Sequence, residues 1–186
     1  MKQPDLKLPY EGNLTCSQKN FSEKGRTHNK ENVNAKYALD FTSNREMKFK
    51  VLASHDGTAS VWKCCKHNSG NCSCGLGFGN QIRIYHDKYF TFYAHLSKIL
   101  IKNKQKVKQG QVIGISGQTG LAGDIHLHWT LGKESIGSEI LKGKFIPFWS
   151  IKANSIGIKE KNKIKNIAST YFKGEKRYIS TNKQVI

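Results

Sequence analysis

Short runs of apolar or alternating residues recur between residues 37 and 131, and turn residues separate them. Each run has the length of about 4–8 residues that is typical of a strand, and turns such as His-Asp-Gly and Gln-Thr-Gly lie between them. The pattern therefore predicts an all-β domain of mostly antiparallel sheets. The predicted strands cover residues 37–41, 49–54, 59–64, 80–86, 89–96, 111–117 and 125–131. Residues 96–106 have some helical character, although they would equally suit a lysine-rich loop.

The composition divides the chain into three parts. Residues 1–25 are polar and irregular and predict an N-terminal arm, whereas 26–150 hold the predicted domain. Residues 151–186 are rich in Lys, Asn and Ile without a clear period, and predict a basic C-terminal extension that is a tail, a strand pair or a surface-binding segment. No stretch reaches the roughly 18 apolar residues of a membrane span. The first residues have no apolar core typical of a signal peptide.

The formal net charge of +18 predicts attraction to a polyanion, such as a nucleic acid, an anionic membrane or an acidic cell-wall polymer. A lysine-rich solvated surface is the alternative interpretation. Few of the basic residues are Arg, which is the residue favoured for bidentate recognition of phosphates and bases. Because no nucleic-acid-binding motif is present either, we expect no nucleic-acid partner. The sequence does not indicate an oligomeric state.

Four of the five cysteines crowd around a Gly/Asn/Ser turn. They are Cys64, Cys65, Cys72 and Cys74. This clustering favours one or two disulfides across a hairpin tip, of unknown connectivity, in an oxidising compartment. A second metal site with His67 is the alternative, but the cysteines lack the C-x₂₋₄-C spacing of zinc sites. Cys16 stands apart from the cluster.

The segment Asp-Ile-His-Leu-His-Trp at residues 124–129 places two imidazoles one residue apart. In a strand, His126 and His128 point to one face and Leu127 and Trp129 to the other. Two strand steps separate the imidazoles by roughly 7 Å, which suits two ligands of one metal, or a ligand beside a proton-transfer group. Asp40 lies in the apolar run "YALDF", where an unpaired carboxylate would be costly unless it binds a metal or a partner.

Four segments occur in the order found in one peptidase family. They are "THNKENVNAKYALDF", "GNQIRIYHDKYFTFYAHLS", "KVKQGQVIGISGQTG" and "IHLHW". In this order they resemble the lysostaphin-type zinc metallopeptidases, which cut peptide bridges in bacterial cell walls. The resemblance covers residues 26–131 and is specific because four motifs coincide. It implies the duplicated hybrid motif fold, a sandwich or barrel-like core with an open groove.

The resemblance implies roles for five residues. His28, Asp40 and His128 would be the ligands of a Zn²⁺ ion, and His95 and His126 would be the two catalytic histidines beside the reacting water. The implied substrate is peptidoglycan, and the implied location is periplasmic or secreted. Two further positions, Asn80 and His86, match recurrent family positions, and we interpret His86 as a structural residue at a strand end. His55 and His67 match nothing in the family and are predicted to lie on the surface.

The sequence departs from the family pattern in three places. Eleven residues separate His28 from Asp40, where the usual spacing is H-x-x-x-D, and a cysteine-rich insertion at 64–74 lengthens a hairpin. Asp124 and Ile125 also stand where relatives often have Gly-Pro. Because of the His28 spacing, a non-catalytic relative that binds cell wall or activates another hydrolase is the alternative. Lipoyl or biotin carriers and sugar-phosphotransfer domains share the turn at 107–120, but they do not explain His28 and Asp40.

Overall fold

The computed structural model describes residues 5–12, 14–18, 27–28, 35–43, 47–133, 149–151, 157–160, 163–166 and 179–180. These residues form fourteen strands and one short 3₁₀ segment, Cys74–Gly77. The strands are β1 (Leu14–Gln18), β2 (Leu39–Thr42), β3 (Lys50–Leu52), β4 (Gly57–Trp62), β5 (Gln81–His86), β6 (Tyr89–Ala94), β7 (Lys98–Ile99), β8 (Lys106–Val107), β9 (Val112–Ile115), β10 (Leu127–Lys133), β11 (Trp149–Ile151), β12 (Gly157–Glu160), β13 (Lys163–Asn166) and β14 (Ile179–Ser180).

The strands assemble into one large antiparallel sheet and two small ones. The large sheet has the order β14-β1-β2-β10-β6-β5-β4-β8, and β11 also pairs with β10. A second sheet has the order β3-β9-β7, and β12 pairs with β13. The described strands do not close into a barrel. The central strand β10 lies between β2 and β6, and these three strands contain or directly adjoin four of the five candidate site residues.

The hydrophobic core lies between the large sheet and the three-stranded sheet. Alternate residues of β10 point into it, so that Leu127, Trp129 and Leu131 are fully buried. Val51 of β3 and Ile113 of β9 belong to the same cluster, which shows that the two sheets pack face to face. The prediction of an all-β sandwich-like core is confirmed, as is the prediction that Leu127 and Trp129 anchor the strand from behind.

The opposite face of the large sheet holds the polar residues of the candidate site. On this face Phe90, Phe92 and Ala94 of β6 form a second, smaller apolar cluster. The register aligns His128 with Ala94 on one side and with Asp40 on the other. Strand alternation therefore places His128 and Asp40 at neighbouring positions on the face of the sheet that Phe90 and Phe92 partly line.

All seven predicted strands are present, with ends that differ by a few residues. The segment 96–106 forms no helix: it begins with β7, ends at the start of β8 and is otherwise a loop. The prediction of an irregular arm is wrong for the described part of residues 1–25. There β1 pairs with β2, and Leu6, Leu8, Tyr10 and Leu14 are buried in the core. Apolar residues at every second position explain this, because they present one face to the core.

The predicted C-terminal extension is described only in part. Strands β12 and β13 pair with each other, and β14 pairs with β1. The rest of 151–186, and with it the predicted role of the extension, lies outside the described residues. A helix capable of spanning a membrane is absent from the part of the chain that the structure describes.

Candidate metal centre

Three buried side chains converge on the open face of the large sheet. Asp40 lies in β2 and His128 in β10, directly opposite each other in the register. His28 precedes β2 and reaches the same point, although eleven residues separate it from Asp40. The exposed fractions of His28, Asp40 and His128 are 0%, 7% and 3%. The structure therefore brings together the three residues proposed as metal ligands.

The distances within this group are short. His128 Nδ1 lies 3.0 Å from Asp40 Oδ1, and His28 Nε2 lies 3.2 Å from His128 Nδ1 and 3.4 Å from Asp40 Oδ1. One ligand atom from each residue lies within 4.8 Å of the other two. Two imidazole nitrogens and a carboxylate oxygen form a donor set that suits Zn²⁺ and leaves a fourth position for water or substrate. The residues present therefore fit a zinc ion.

The surroundings favour the protonation states that bind a metal. Burial raises the pKa of Asp40, but the charge of His28 and hydrogen bonds from His128 and His28 outweigh it, so that the pKa lies well below its usual value. Burial lowers the pKa of His128 to about 4 against the opposing effect of Asp40. At neutral pH the site thus offers an ionised carboxylate and a neutral imidazole, which are the ligating forms.

His95 lies beside this group, immediately after β6 ends. It has a positive φ of 60°, a conformation that non-glycine residues adopt at a cost. Its Nδ1 donates to the carbonyl of Thr119 at 2.7 Å, and its backbone N–H donates to the Phe78 carbonyl at 3.0 Å. Burial, and then His126 and His128, hold the pKa of His95 well below its usual value. The neutral ring therefore carries its proton on Nδ1 and presents an unprotonated Nε2.

His126 is held in a similar way immediately before β10 begins, where it forms an isolated bridge with Gly117. Its Nδ1 donates to the carbonyl of Asp124 at 3.0 Å, and its Nε2 lies 3.9 Å from Asp40 Oδ2. The rings of His95 and His126 are 4.6 Å apart between centroids. In both histidines Nδ1 is therefore bound to a backbone carbonyl, and Nε2 lies on the other side of the ring, beside the three candidate ligands.

A turn at residues 117–121 positions His95, and its role was not predicted. Thr119 supplies the carbonyl that orients the ring, while its hydroxyl accepts from Asn80 N at 3.1 Å and donates to Leu96 O at 3.0 Å. Gly79 and Gly120 have positive φ values, and a Cβ at Gly79 would lie 2.5 Å from the backbone of this turn. Only glycine permits so close an approach. The signal is the "SGQTG" run, which predicts a turn and belongs to a family motif but does not by itself indicate a contact with His95.

Comparison with known proteins identifies the family. Residues 34–140 match the model of Peptidase family M23. The chain belongs to this family. The match includes Asp40, His95, His126 and His128 but begins after His28, so the position of His28 as a ligand rests on the geometry described above.

Individual M23 relatives cover only part of the chain. Peptidoglycan DD-endopeptidase ShyA of Vibrio cholerae serotype O1 is 46% identical over 77 residues, which cover 41% of this chain and 16% of ShyA. Lysostaphin of Staphylococcus simulans is 33% identical over 95 residues, covering 50% of this chain and 17% of lysostaphin. The chain thus spans less than a fifth of the length of these relatives.

Among solved structures, the fold is similar to a chain of the SpoIIQ–SpoIIIAH pore-forming complex. The TM-score is 0.50 and the identity 25%, and the similarity covers 71% of this chain and 85% of that chain.

The three histidines outside the candidate site differ in how exposed they are. His67 and His86 are exposed, and His86 ends β5, as predicted. The prediction that His55 lies on the surface is wrong: it is 2% exposed, with Nε2 3.0 Å from the Thr91 hydroxyl and Nδ1 2.8 Å from the Asp56 carbonyl. The surface was predicted because His55 matches no family position, whereas its ring packs against Thr91 of β6.

Two features of this M23 domain lie outside the metal centre. The prediction of a disulfide is confirmed for Cys64 and Cys74. Asn80 fastens the chain beside this disulfide, because its Oδ1 accepts from the backbone N–H groups of Cys64 at 2.9 Å and Cys65 at 3.0 Å. Asn80 therefore links the cysteine-rich insertion to the turn that orients His95.

Proposed function

We propose that this protein is a zinc metalloendopeptidase that hydrolyses peptide crosslinks of bacterial peptidoglycan. The observation that carries the proposal is the convergence of His28, Asp40 and His128, with His95 and His126 beside them. Membership of Peptidase family M23 supports a peptidase. The description of ShyA as a peptidoglycan DD-endopeptidase supports the substrate class.

The roles that we propose for the residues agree with their hydrogen bonds. His28, Asp40 and His128 would hold the ion, which when bound would acidify a water molecule and polarise the scissile carbonyl. His95 and His126 each keep Nδ1 on a carbonyl and present Nε2 to the reacting groups. One accepts the proton of the attacking nucleophile, and the other stabilises the oxyanion or protonates the leaving amine. We assign the two roles to His95 and His126 jointly, because each ring donates from Nδ1 to a backbone carbonyl.

The charge of the chain suits an anionic cell-wall polymer. A net charge of +18 would retain the protein on such a polymer by mass action. Lysines at positions 98, 102, 104, 106 and 108 are exposed on one long loop and its flanking strands, and Lys50 on the neighbouring β3 is exposed too. A substrate in the cell wall implies a periplasmic or secreted location, which an oxidised Cys64–Cys74 pair also supports.

A second candidate function is that of a non-catalytic family relative that binds cell wall or activates another wall hydrolase. The similarity to a chain of the SpoIIQ–SpoIIIAH pore-forming complex favours a role in assembly with a partner protein. The presence of all five candidate site residues in one cluster favours the enzyme instead.

The test is incubation of the purified protein with isolated sacculi, with and without a chelator, followed by mass spectrometry of the released muropeptides. The proposal predicts loss of crosslinked dimers that chelator abolishes and added zinc restores. No cleavage of several sacculus types in the presence of zinc would contradict it and favour the binding role.

A further inference from the structure

The cysteine-rich insertion holds two more cysteines beside its disulfide. Cys65 Sγ lies 3.1 Å from Cys74 Sγ, and Cys72, two residues before Cys74, donates its backbone N–H to Gly120 O at 3.1 Å. Cys65 is buried, whereas Cys72 is half-exposed. Because Cys64 and Cys74 are joined to each other, Cys65 and Cys72 are the two cysteines of the insertion that remain as thiols.

The insertion is attached to the turn that orients His95. Gly70 N donates to Gln118 O at 2.6 Å, Cys72 N to Gly120 O at 3.1 Å, and Leu121 N to Gly77 O at 2.7 Å. These bonds lie on both sides of Thr119, whose carbonyl accepts from His95. Any change that loosens the insertion will therefore also loosen the turn at residues 117–121.

We propose that Cys65 and Cys72 form a second disulfide, and that the resulting two-disulfide clasp holds the 117–121 turn in the position that orients His95. The sites of this modification are the two thiols of the insertion that the Cys64–Cys74 disulfide leaves unbonded. The link to catalysis rests on the function proposed above, whereas the disulfide itself and its effect on the turn do not.

The oxidation requires an external disulfide, of a protein or a small molecule, as its co-reactant. The Cys72 thiolate attacks one sulfur of that disulfide, and the first external thiolate leaves. Cys65 then attacks Cys72 Sγ in the mixed disulfide, and the second external thiolate leaves. The two cysteines lose two protons and two electrons, and the external disulfide is reduced to two thiols. Hydrogen bonding to Cys65 lowers the pKa of Cys72, which makes it the better attacking thiol.

A metal cluster is the competing use of the same residues. Sulfur atoms of Cys64, Cys65 and Cys74 lie within 4.8 Å of one another, which is close enough for a shared ion. The structure instead joins Cys64 to Cys74, and a disulfide sulfur is not a thiolate ligand. The adjacent Cys64-Cys65 pair and the Cys-x-Cys at 72–74 also lack the usual spacing of zinc sites.

The first test is a count of thiols. The whole chain is produced by export into an oxidising compartment, denatured without reductant, alkylated, and analysed by intact mass and peptide mapping. The clasp predicts one alkylated cysteine, Cys16, and a Cys65–Cys72 crosslinked peptide. Three alkylated cysteines would overturn the second disulfide. Five, together with a zinc ion that remains in an Asp40→Ala variant, would establish the metal cluster and overturn the clasp.

The second test measures the turn directly. Amide hydrogen exchange of residues 117–121 is compared in wild type, the double variant Cys65→Ser/Cys72→Ser, and Cys16→Ala as a control outside the cluster. We expect exchange about tenfold faster or more in the double variant, because a crosslink across a short loop restricts its opening. The control should match wild type in this segment.

The results separate this inference from the proposed function. Unchanged exchange in the double variant would overturn the clasp, whatever the enzyme does. Faster exchange with one zinc still bound, and with hydrolysis of sacculi reduced, would support the whole proposal. Faster exchange without any effect on hydrolysis would overturn the link to His95. If wild type itself is inactive, thiol mapping and exchange still decide the disulfide.

Discussion

Thr119→Val tests whether the turn at 117–121 positions His95. The substitution keeps the shape of the side chain and removes only the hydroxyl. In the structure that hydroxyl accepts from Asn80 N at 3.1 Å and donates to Leu96 O at 3.0 Å, and Thr119 is 2% exposed. The variant therefore removes two buried hydrogen bonds from the turn whose carbonyl orients His95.

The expected cost follows from these two bonds. The backbone N–H of Asn80 loses its buried acceptor, which costs about 1–3 kcal/mol, and the bond to Leu96 O contributes about 1 kcal/mol more. We therefore expect the free energy of unfolding to fall by about 2–4 kcal/mol. For a chain of this size that corresponds to a decrease in Tm of roughly 4–16 °C.

The effect on activity is expected to exceed the effect on folding. A misplacement of His95 by about 1 Å would lower kcat/KM by roughly 100-fold. Zinc content should stay at the wild-type level, because Thr119 contacts none of the three candidate ligands. The assays are urea denaturation, metal analysis and hydrolysis of a crosslinked muropeptide below the unfolding temperature.

Thr119→Ser is the matched control, since it keeps the hydroxyl and loses only a methyl group. It should cost about 1 kcal/mol and retain most of the activity. The reasoning is refuted if Thr119→Val unfolds within about 0.5 kcal/mol of wild type, or if the Ser variant is as impaired as the Val variant.

Three further predictions concern the histidines and the surface charge. The variants His95→Asn and His126→Ala should each lower kcat by about 100-fold or more without changing the zinc content. Asn is chosen at position 95 because it tolerates the positive φ there. Loss of zinc in either variant would make that residue a ligand. Burial lowers the pKa of His55 below 6.5. As the pH falls below 6.5, His55 is therefore protonated in the unfolded chain before it is protonated in the folded chain. The free energy of unfolding should therefore decrease as the pH falls below about 6.5, by up to about 1.4 kcal/mol per unit relative to His55→Gln; parallel pH profiles would contradict this. Protein bound to sacculi should be released as salt rises from about 0.1 M toward 1 M, because the Debye length falls from about 10 Å to about 3 Å; retention at high salt would show that charge is not the main attraction.

The central strands were predictable because their sequence patterns are local. Alternation in the segment around His126 and His128 correctly separated a polar face from the buried Leu127 and Trp129. Asp40 was identifiable for a different reason, because an unpaired carboxylate within an apolar run is costly. Which strands are neighbours depends on pairing between distant segments, and in this case the family resemblance supplied that information.

Other features depend on contacts that no local pattern encodes. The N-terminal segment looked irregular because its apolar residues are spaced among polar ones, yet Leu6, Leu8 and Tyr10 reach the core. The roles of Thr119 and Asn80 arise from backbone groups and a tight approach at Gly79. His55 is predicted to lie on the surface because it matches no family position, although its ring is buried against Thr91.

Zinc stoichiometry is the measurement that tests the central claim most directly. Wild type and Asp40→Ala are dialysed against metal-free buffer and analysed by inductively coupled plasma mass spectrometry, with circular dichroism as a check on folding. A centre built from His28, Asp40 and His128 predicts about one zinc per wild-type chain and none in a folded Asp40→Ala variant. A wild-type chain that retains no zinc, or an Asp40→Ala variant that retains as much as wild type, would contradict it.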